Sequence, residues 1–343
     1  MNKDSIKKIT SMRLFLPIVC LVAVLLVNLI TTPGFFKVSI NNGVLYGYIV
    51  DVVNRASELV ILAVGMTLVT AASGGQDISV GAVMAVAAGG EVSVTELAAP
   101  MGLAIIAAIL ASALCGAFNG FLVAKMNIQP MVATLILYTA GRGIGQLITA
   151  GQITYVRVDS YKVFGGYIGK IPVPTPIFLA IIVVIIVNLI LKKTALGLYI
   201  ESVGINGTAS RLVGLNSTLI KFLTYVICGV LAGIAGIIAS SRIYSADVNN
   251  IGLNLEMDAI LAVALGGNVL GGGKFSLMGS VIGAYTIQAL TTTLYAMNVK
   301  ADQLPVYKAI VVVIIVTLQS PVFQSFIAKQ RAKKAAAAVE GGK

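Results

Sequence analysis

Few side chains in this sequence are equipped for chemistry. The chain holds 24 basic and 13 acidic residues and no histidine, so a Ser-His or Cys-His nucleophile and a Cys/His metal set cannot be assembled. Glu256 and Asp258 stand two residues apart, which on a helix turns them to faces roughly 200° apart and rules out a paired general acid and base. Acids at a helix start suit the dipole instead. Gly271-Gly272-Gly273-Lys274 has the look of a phosphate loop, but Asn268 occupies the position of its first glycine and Phe275 that of its final Ser or Thr. No nucleotide-hydrolysing loop is present. Cys20, Cys115 and Cys228 all fall in apolar runs without Cys-x-x-Cys spacing, so neither a disulfide framework nor a zinc site is implied.

What remains is hydrogen bonding. Gln76 and Asp77 follow the break Gly74-Gly75 and open an apolar run. Two roles fit Asp77: a helix cap that satisfies free N–H groups, and a contact for a passing solute. Arg142 sits inside an apolar segment between Gly141 and Gly143, where an ionised group is costly unless it faces a hydrated cavity or is neutralised by a neighbouring helix. Asn119, Gln129, Thr134 and Gln146 belong to the same region. They are candidates for lining a path, and equally for bonding neighbouring helices. Asp247, Asn249 and Asn250 form a polar stretch that is a candidate contact for an external protein.

The elements that must hold these residues are apolar. Of the residues 58% are hydrophobic and 11% charged, with mean hydropathy +0.97, far from a soluble composition. About ten segments of spanning length or near it recur: Leu14 to Ile30, Ala56 to Ser73, Ile78 to Ser93, Met101 to Val123, Pro130 to Ala150, Ile177 to Leu191, Leu219 to Ser240, Leu255 to Leu270, Leu277 to Met297 and Val306 to Phe323. The expected fold is an all-α polytopic membrane bundle of about ten transmembrane helices. The third, fifth and eighth segments are short or rich in small residues, which suits broken or re-entrant helices. Gly229, Gly233 and Gly236 clear one helix face for close packing.

The net charge of +11 does not point to nucleic acid, because the basic residues cap apolar runs and fill two tails. Fifteen fall on the side shared with the termini (Lys3, Lys7, Lys8, Arg13, Lys125, Lys192, Lys193, Arg211, Lys221, Lys274, Lys329, Arg331, Lys333, Lys334, Lys343) and six opposite (Lys37, Arg157, Lys162, Lys170, Arg242, Lys300), with Arg55, Arg142 and Lys308 in or near spans. This asymmetry predicts cytoplasmic termini. The chain divides into a tail 1–13, a membrane domain 14–326 and a tail 327–343. The first apolar run lacks a small-residue cleavage site and is read as an uncleaved span.

Between the sixth and seventh segments lies Lys192 to Thr218, the longest polar stretch on the cytoplasmic side. Thr208 can cap a short helix that stops at Gly214. Such a knob suits docking by a soluble partner; a plain turn held near lipid headgroups is the alternative.

Three motifs in order along the chain carry a resemblance. Gly74-Gly75-Gln76-Asp77-Ile78-Ser79-Val80-Gly81 resembles the Gly-Gly-x-Asp-Leu-Ser-Val-Gly signature of permease subunits of bacterial ABC sugar importers of the ribose type. Residues 195–206 and 210–216 resemble that family's coupling loop, and 255–267 with Gly271-Gly272-Gly273 its C-terminal glycine signature. Within the family, residues 147–153, 193–197 and 246–253 are most similar to the galactofuranose-importing branch. Gln76 departs from the aliphatic residue usual there, which leaves the ligand open.

The resemblance implies a transport subunit without a cofactor, ATP and Mg being held by a separate ATPase. It also implies a bacterial inner-membrane location. The implied partners are ABC ATP-binding subunits, a second permease subunit (identical or homologous), an extracytoplasmic sugar-binding protein and membrane lipid. The coupling residues would be Glu201, Gly204, Asn206, Ser210, Arg211, Leu212 and Gly214. Permeases for ribose, nucleosides or branched-chain amino acids share the architecture; an ion-coupled carrier fits less well, since the acids cluster near segment ends.

Overall fold

The computed structural model describes residues 14–41, 43–96, 100–156, 158–169 and 171–319. Both predicted tails, 1–13 and 327–343, lie outside the described residues, as do Arg157 and Lys170. The elements are α1 (Phe15–Thr31), β1 (Ser39–Asn41), β2 (Val44–Tyr46), α2 (Tyr48–Ser73), α3 (Val80–Glu96), α4 (Met101–Gly120), α5 (Pro130–Ile148), β3 (Thr154–Tyr155), α6 (Thr175–Lys193), α7 (Leu196–Ile205), α8 (Gly207–Leu212), α9 (Ser217–Ile243), β4 (Ser245–Ala246), α10 (Leu255–Leu265), α11 (Leu277–Ala296) and α12 (Leu304–Gln319). A π turn, Phe121–Lys125, prolongs α4. β1 and β2 form an antiparallel hairpin, and β3 pairs antiparallel with β4.

Each of the ten apolar segments falls on a helix, but the helices are not equivalent. Five are long and apolar enough to cross a membrane: Tyr48–Ser73, Met101–Lys125, Pro130–Ile148, Thr175–Lys193 and Ser217–Ile243. The rest are shorter or less apolar. The fifth segment is an unbroken helix, α5, contrary to the expectation of a break, because its glycines lie on a helix with no proline after the first turn. The eighth is short: α10 ends after 11 residues at Gly266. Helix α2 starts at Tyr48, ahead of the apolar run, where Asp51 and Arg55 pair one turn apart on an exposed face.

Burial sorts the long helices into two kinds. The apolar window of α2 is 94% buried and that of α9 61%, whereas those of α4, α5 and α6 are 22 to 28% buried. The first pair forms the core; the other three turn Leu, Ile and Val outward, as lipid-facing helices do. Helix α3 is buried along most of its length.

Both core helices end on a left-handed residue, Gly74 (φ +68°) after α2 and Tyr244 (φ +55°) after α9. Each is followed by an irregular stretch and a shorter helix, α3 or α10. The two stretches meet backbone to backbone: a Cβ placed on Gly81 would stand 2.3 Å from the Gly252 carbonyl oxygen, and one on Gly252 would stand 2.5 Å from that of Gly81. From this point α3 runs toward the end that carries the β-hairpin, and α10 runs toward the end that carries α7 and α8. Helix α9 packs on α3 and α4 while α2 packs on α10 and α11, the antiparallel correspondence of an inverted repeat.

Candidate functional site

Asp77 is 2% exposed and its carboxylate is fully engaged by neighbours. Oδ1 accepts from the Ser79 backbone N–H at 2.9 Å and from the Ser79 hydroxyl at 2.6 Å. The Asn119 amide of α4 donates to Ser79 Oγ at 2.8 Å and reaches both Asp77 oxygens at 3.5 Å. The Ile78 N–H donates to Thr134 Oγ1 of α5 at 3.3 Å. Helices α4 and α5 thus supply groups that an irregular backbone inside a bundle must find. Asp77, Asn119 and Thr134 are brought together and bond one another. Gln76 is half-buried beside them, and Gln129, exposed, precedes the first turn of α5.

The second group lies nearer the hairpin end. Arg142 Nη1 donates to the carbonyl oxygens of Val248 (2.9 Å), Asn249 (3.2 Å) and Ile251 (3.1 Å), which are left free because the chain between β4 and α10 is neither helix nor ladder. Gln146, one turn on, donates to Asn249 Oδ1 at 2.7 Å. Asp247 accepts from the Asn250 side chain at 2.7 Å. The guanidinium also feels the carboxylate of Glu256, itself 1% exposed and in the first turn of α10. Arg142 is therefore held by a neighbouring segment. Residues nominated separately, Arg142 and Gln146 for a path and Asp247, Asn249 and Asn250 for an external contact, form one assembly.

The third group is the segment 192–218, which folds into two helices rather than one. Asn206, not Thr208, caps α8: its Oδ1 accepts from the N–H groups of Thr208 and Ala209 at 3.1 and 3.0 Å. The cap shifts because the helix starts at Gly207, and Asn206 is the last residue with extended backbone. Ser210 donates to the Asn206 carbonyl at 2.9 Å. Arg211 donates to Ser217 Oγ and, at 2.9 Å, to Thr218 Oγ1, tying α8 to α9. The chain turns at Gly214 (φ +87°). Leu212 and Val213 are 86% and 77% exposed, an apolar tip on a polar segment; Glu201 is half-buried.

Gly204 anchors this segment. A Cβ there would fall 1.8 Å from the Ala71 carbonyl oxygen near the end of α2 and 2.5 Å from the Gly273 nitrogen. Gly273 N–H donates to that same Ala71 oxygen at 2.9 Å, and a Cβ on Gly272 would meet Gly74 Cα at 3.0 Å and the Gly204 oxygen at 3.1 Å. The ends of α2 and α7 and the loop after α10 are thus knotted through backbone. The sequence nominated Gly204 but not its partners.

Two interior ion pairs were also not foreseen. Arg242 of α9 pairs with Glu58 of α2 at 2.9 Å and donates to the Asn54 carbonyl at 3.1 Å. Lys308 of α12 pairs with Asp258 of α10 at 2.7 Å. The visible signal was the presence of single charges within apolar stretches, which require partners.

A family model described as the permease component of branched-chain amino acid transport systems matches residues 48–318, from the start of α2 to the end of α12. The chain belongs to that permease family. As a permease component it is a part of a transport system and not an enzyme. The permease is 44% identical over 316 residues, 92% of each chain, to the galactofuranose transporter permease YtfT of Escherichia coli K12. It is 37% identical to the fructose import permease FruF of Bifidobacterium longum, covering 97% of this chain and 95% of the relative. To the ribose import permease RbsC of Escherichia coli K12 it is 35% identical, over 84% and 88%. No solved structure matches the permease.

Proposed function

We propose that this permease is the membrane-spanning subunit of an ATP-driven importer for a monosaccharide, galactofuranose or a similar sugar. The observation that carries the reading is the 44% identity, over 92% of the chain, to a galactofuranose transporter permease. The same comparisons favour a sugar over a branched-chain amino acid, because the fructose and ribose permeases are also matched over most of their length.

In this reading two permeases, identical or homologous, sit in a bacterial inner membrane with their termini in the cytoplasm. An extracytoplasmic binding protein delivers the sugar near Asp247, Asn249 and Asn250. The segment 192–218 docks ATP-binding subunits, with the exposed Leu212 tip as the contact. Those subunits hold the ATP and Mg; the permease itself needs no cofactor. Closure of the ATPases pushes α7 and α8, and the knot at Gly204 carries the push to the end of α2 and the loop after α10. The helices α3 and α10, which start from the touching Gly81 and Gly252, then shift against each other and open the path to one side or the other. Gln76, Gln129 and Gln146 offer the amide groups, half-buried or exposed, that a neutral sugar can use.

Reconstitution in proteoliposomes with the ATPase and a sugar-binding protein tests the proposal. Uptake should require ATP and follow galactofuranose, ribose or fructose. Uptake that persists without ATP and collapses with an ion gradient would overturn the energy source, and a preference for branched-chain amino acids would overturn the substrate class.

A further inference from the structure

The π turn Phe121–Lys125 and the first turns of α9 enclose a groove of about 470 Å³ lined by Gly120, Phe121, Ala124, Lys125, Asn216, Thr218, Leu219 and Phe222. It lies at the boundary of the apolar bundle, where the span Met101–Lys125 ends and the span Ser217–Ile243 begins. One wall is basic. Lys125 lines the groove with its ammonium 5.5 Å from the Phe121 ring centroid. Arg211 donates to the lining Thr218, so its guanidinium stands at the rim. Lys221 adjoins the lining Phe222 in the first turns of α9.

Among the described residues none of these three cations makes an ion pair; the pairs are Arg55–Asp51, Lys162–Asp159, Arg242–Glu58 and Lys308–Asp258, none of which involves this groove. Three such cations around one concavity favour an anion. Apolar side chains face outward here: Phe121 and Leu219 of the lining are 43% and 49% exposed, and Phe118 and Leu223, one turn away along α4 and α9, are 45% and 38% exposed. A free anion has no use for such a rim, whereas acyl chains do. The π turn accounts for the shape, since one additional residue in the turn widens α4 locally where Lys125 and Phe121 sit.

We propose that this groove binds the headgroup phosphate of an anionic phospholipid, with acyl chains laid against Phe118, Phe121 and Leu219. The lipid bridges α4 to α9 beside Arg211, the residue that ties α8 to α9, and so braces the segment 192–218. The site does not depend on which solute the permease carries.

Native mass spectrometry of the full-length permease, purified in mild detergent with phosphatidylglycerol or phosphatidylcholine, tests the site. One phosphatidylglycerol per chain should survive, with phosphatidylcholine lost, and the double variant Lys125→Gln/Lys221→Gln should retain phosphatidylglycerol about tenfold less well. Lys37→Gln/Lys300→Gln, at the opposite end of the bundle, should retain it as the parent does and controls for a general loss of charge. Equal retention in the Lys125/Lys221 variant, or equal retention of phosphatidylcholine, would overturn the proposal. Displacement of the lipid by millimolar inorganic phosphate would assign the groove to a free anion instead. If the double variant fails to fold, Lys125→Gln alone in nanodiscs, read by the gain in Tm from phosphatidylglycerol over phosphatidylcholine, gives the same decision: a diminished gain supports the site and an unchanged gain overturns it.

Discussion

The two ends of the bundle are fastened by different means. At the end that carries α7 and α8, Gly74 and Gly204 press on neighbouring backbone with no room for a Cβ, and Gly272 lies tight against both. At the hairpin end one such contact, Gly165 against the Arg242 backbone, is joined by long side chains: Arg142 and Gln146 reach the 248–251 stretch, and Arg242 reaches Glu58 and Asn54. Backbone contact of the first kind is stiff, because packed interiors do not deform continuously. Side-chain bonds can be exchanged for others. In the proposed mechanism the stiff joint lies where force enters and the more exchangeable one where solute enters.

The largest effect should come from breaking the ion pair at the hairpin end. Arg242→Ala leaves Glu58, 8% exposed, without its cation, and removal of one partner of a buried pair costs about 3–5 kcal/mol. Thermal unfolding in detergent should show a marked fall in Tm, and Glu58→Gln combined with Arg242→Gln should recover most of it. Next is Arg142→Gln, which removes one Nη1 group whose two N–H are shared among three carbonyl oxygens, a loss of about 1.5–3 kcal/mol. Uptake in proteoliposomes should drop strongly while basal ATP hydrolysis continues, since the lost bonds lie far from α8. The smallest is Asn206→Ala, which removes the α8 cap at about 1 kcal/mol. Stimulation of the ATPase by the binding protein should weaken several-fold, with Asn206→Asp restoring it.

Much of the fold could be read from the residues, and the reasons are local. Long apolar runs favour helices in lipid, and each of the ten segments falls on a helix, five of them long and apolar enough to span. Where a boundary was missed, as at Tyr48, polar side chains had carried the helix beyond the apolar run. The Gly74-Gly75 break and the capping role open to Asp77 were visible because glycine and a following acid have few other uses at a helix start. Partnerships were not visible. Nothing in the sequence around Gly204 says that Ala71 and Gly273 will share its space, and nothing near Glu58 names Arg242, since such pairs are set by how distant helices stack. The cap at Asn206 was misplaced by two residues because Asn and Thr are both good caps, and only the backbone shows which one precedes the turn.

Coupling through the Gly204 knot is the central claim, and the ratio of sugar transported to ATP hydrolysed by a Gly204→Ala complex tests it most directly. The added methyl must displace the Ala71 carbonyl, an overpacking of about 1–3 kcal/mol, equivalent to roughly 5- to 150-fold in a coupled equilibrium. The account predicts a complex that assembles and hydrolyses ATP but transports at least roughly fivefold less sugar per ATP. An unchanged ratio in an assembled complex would contradict it.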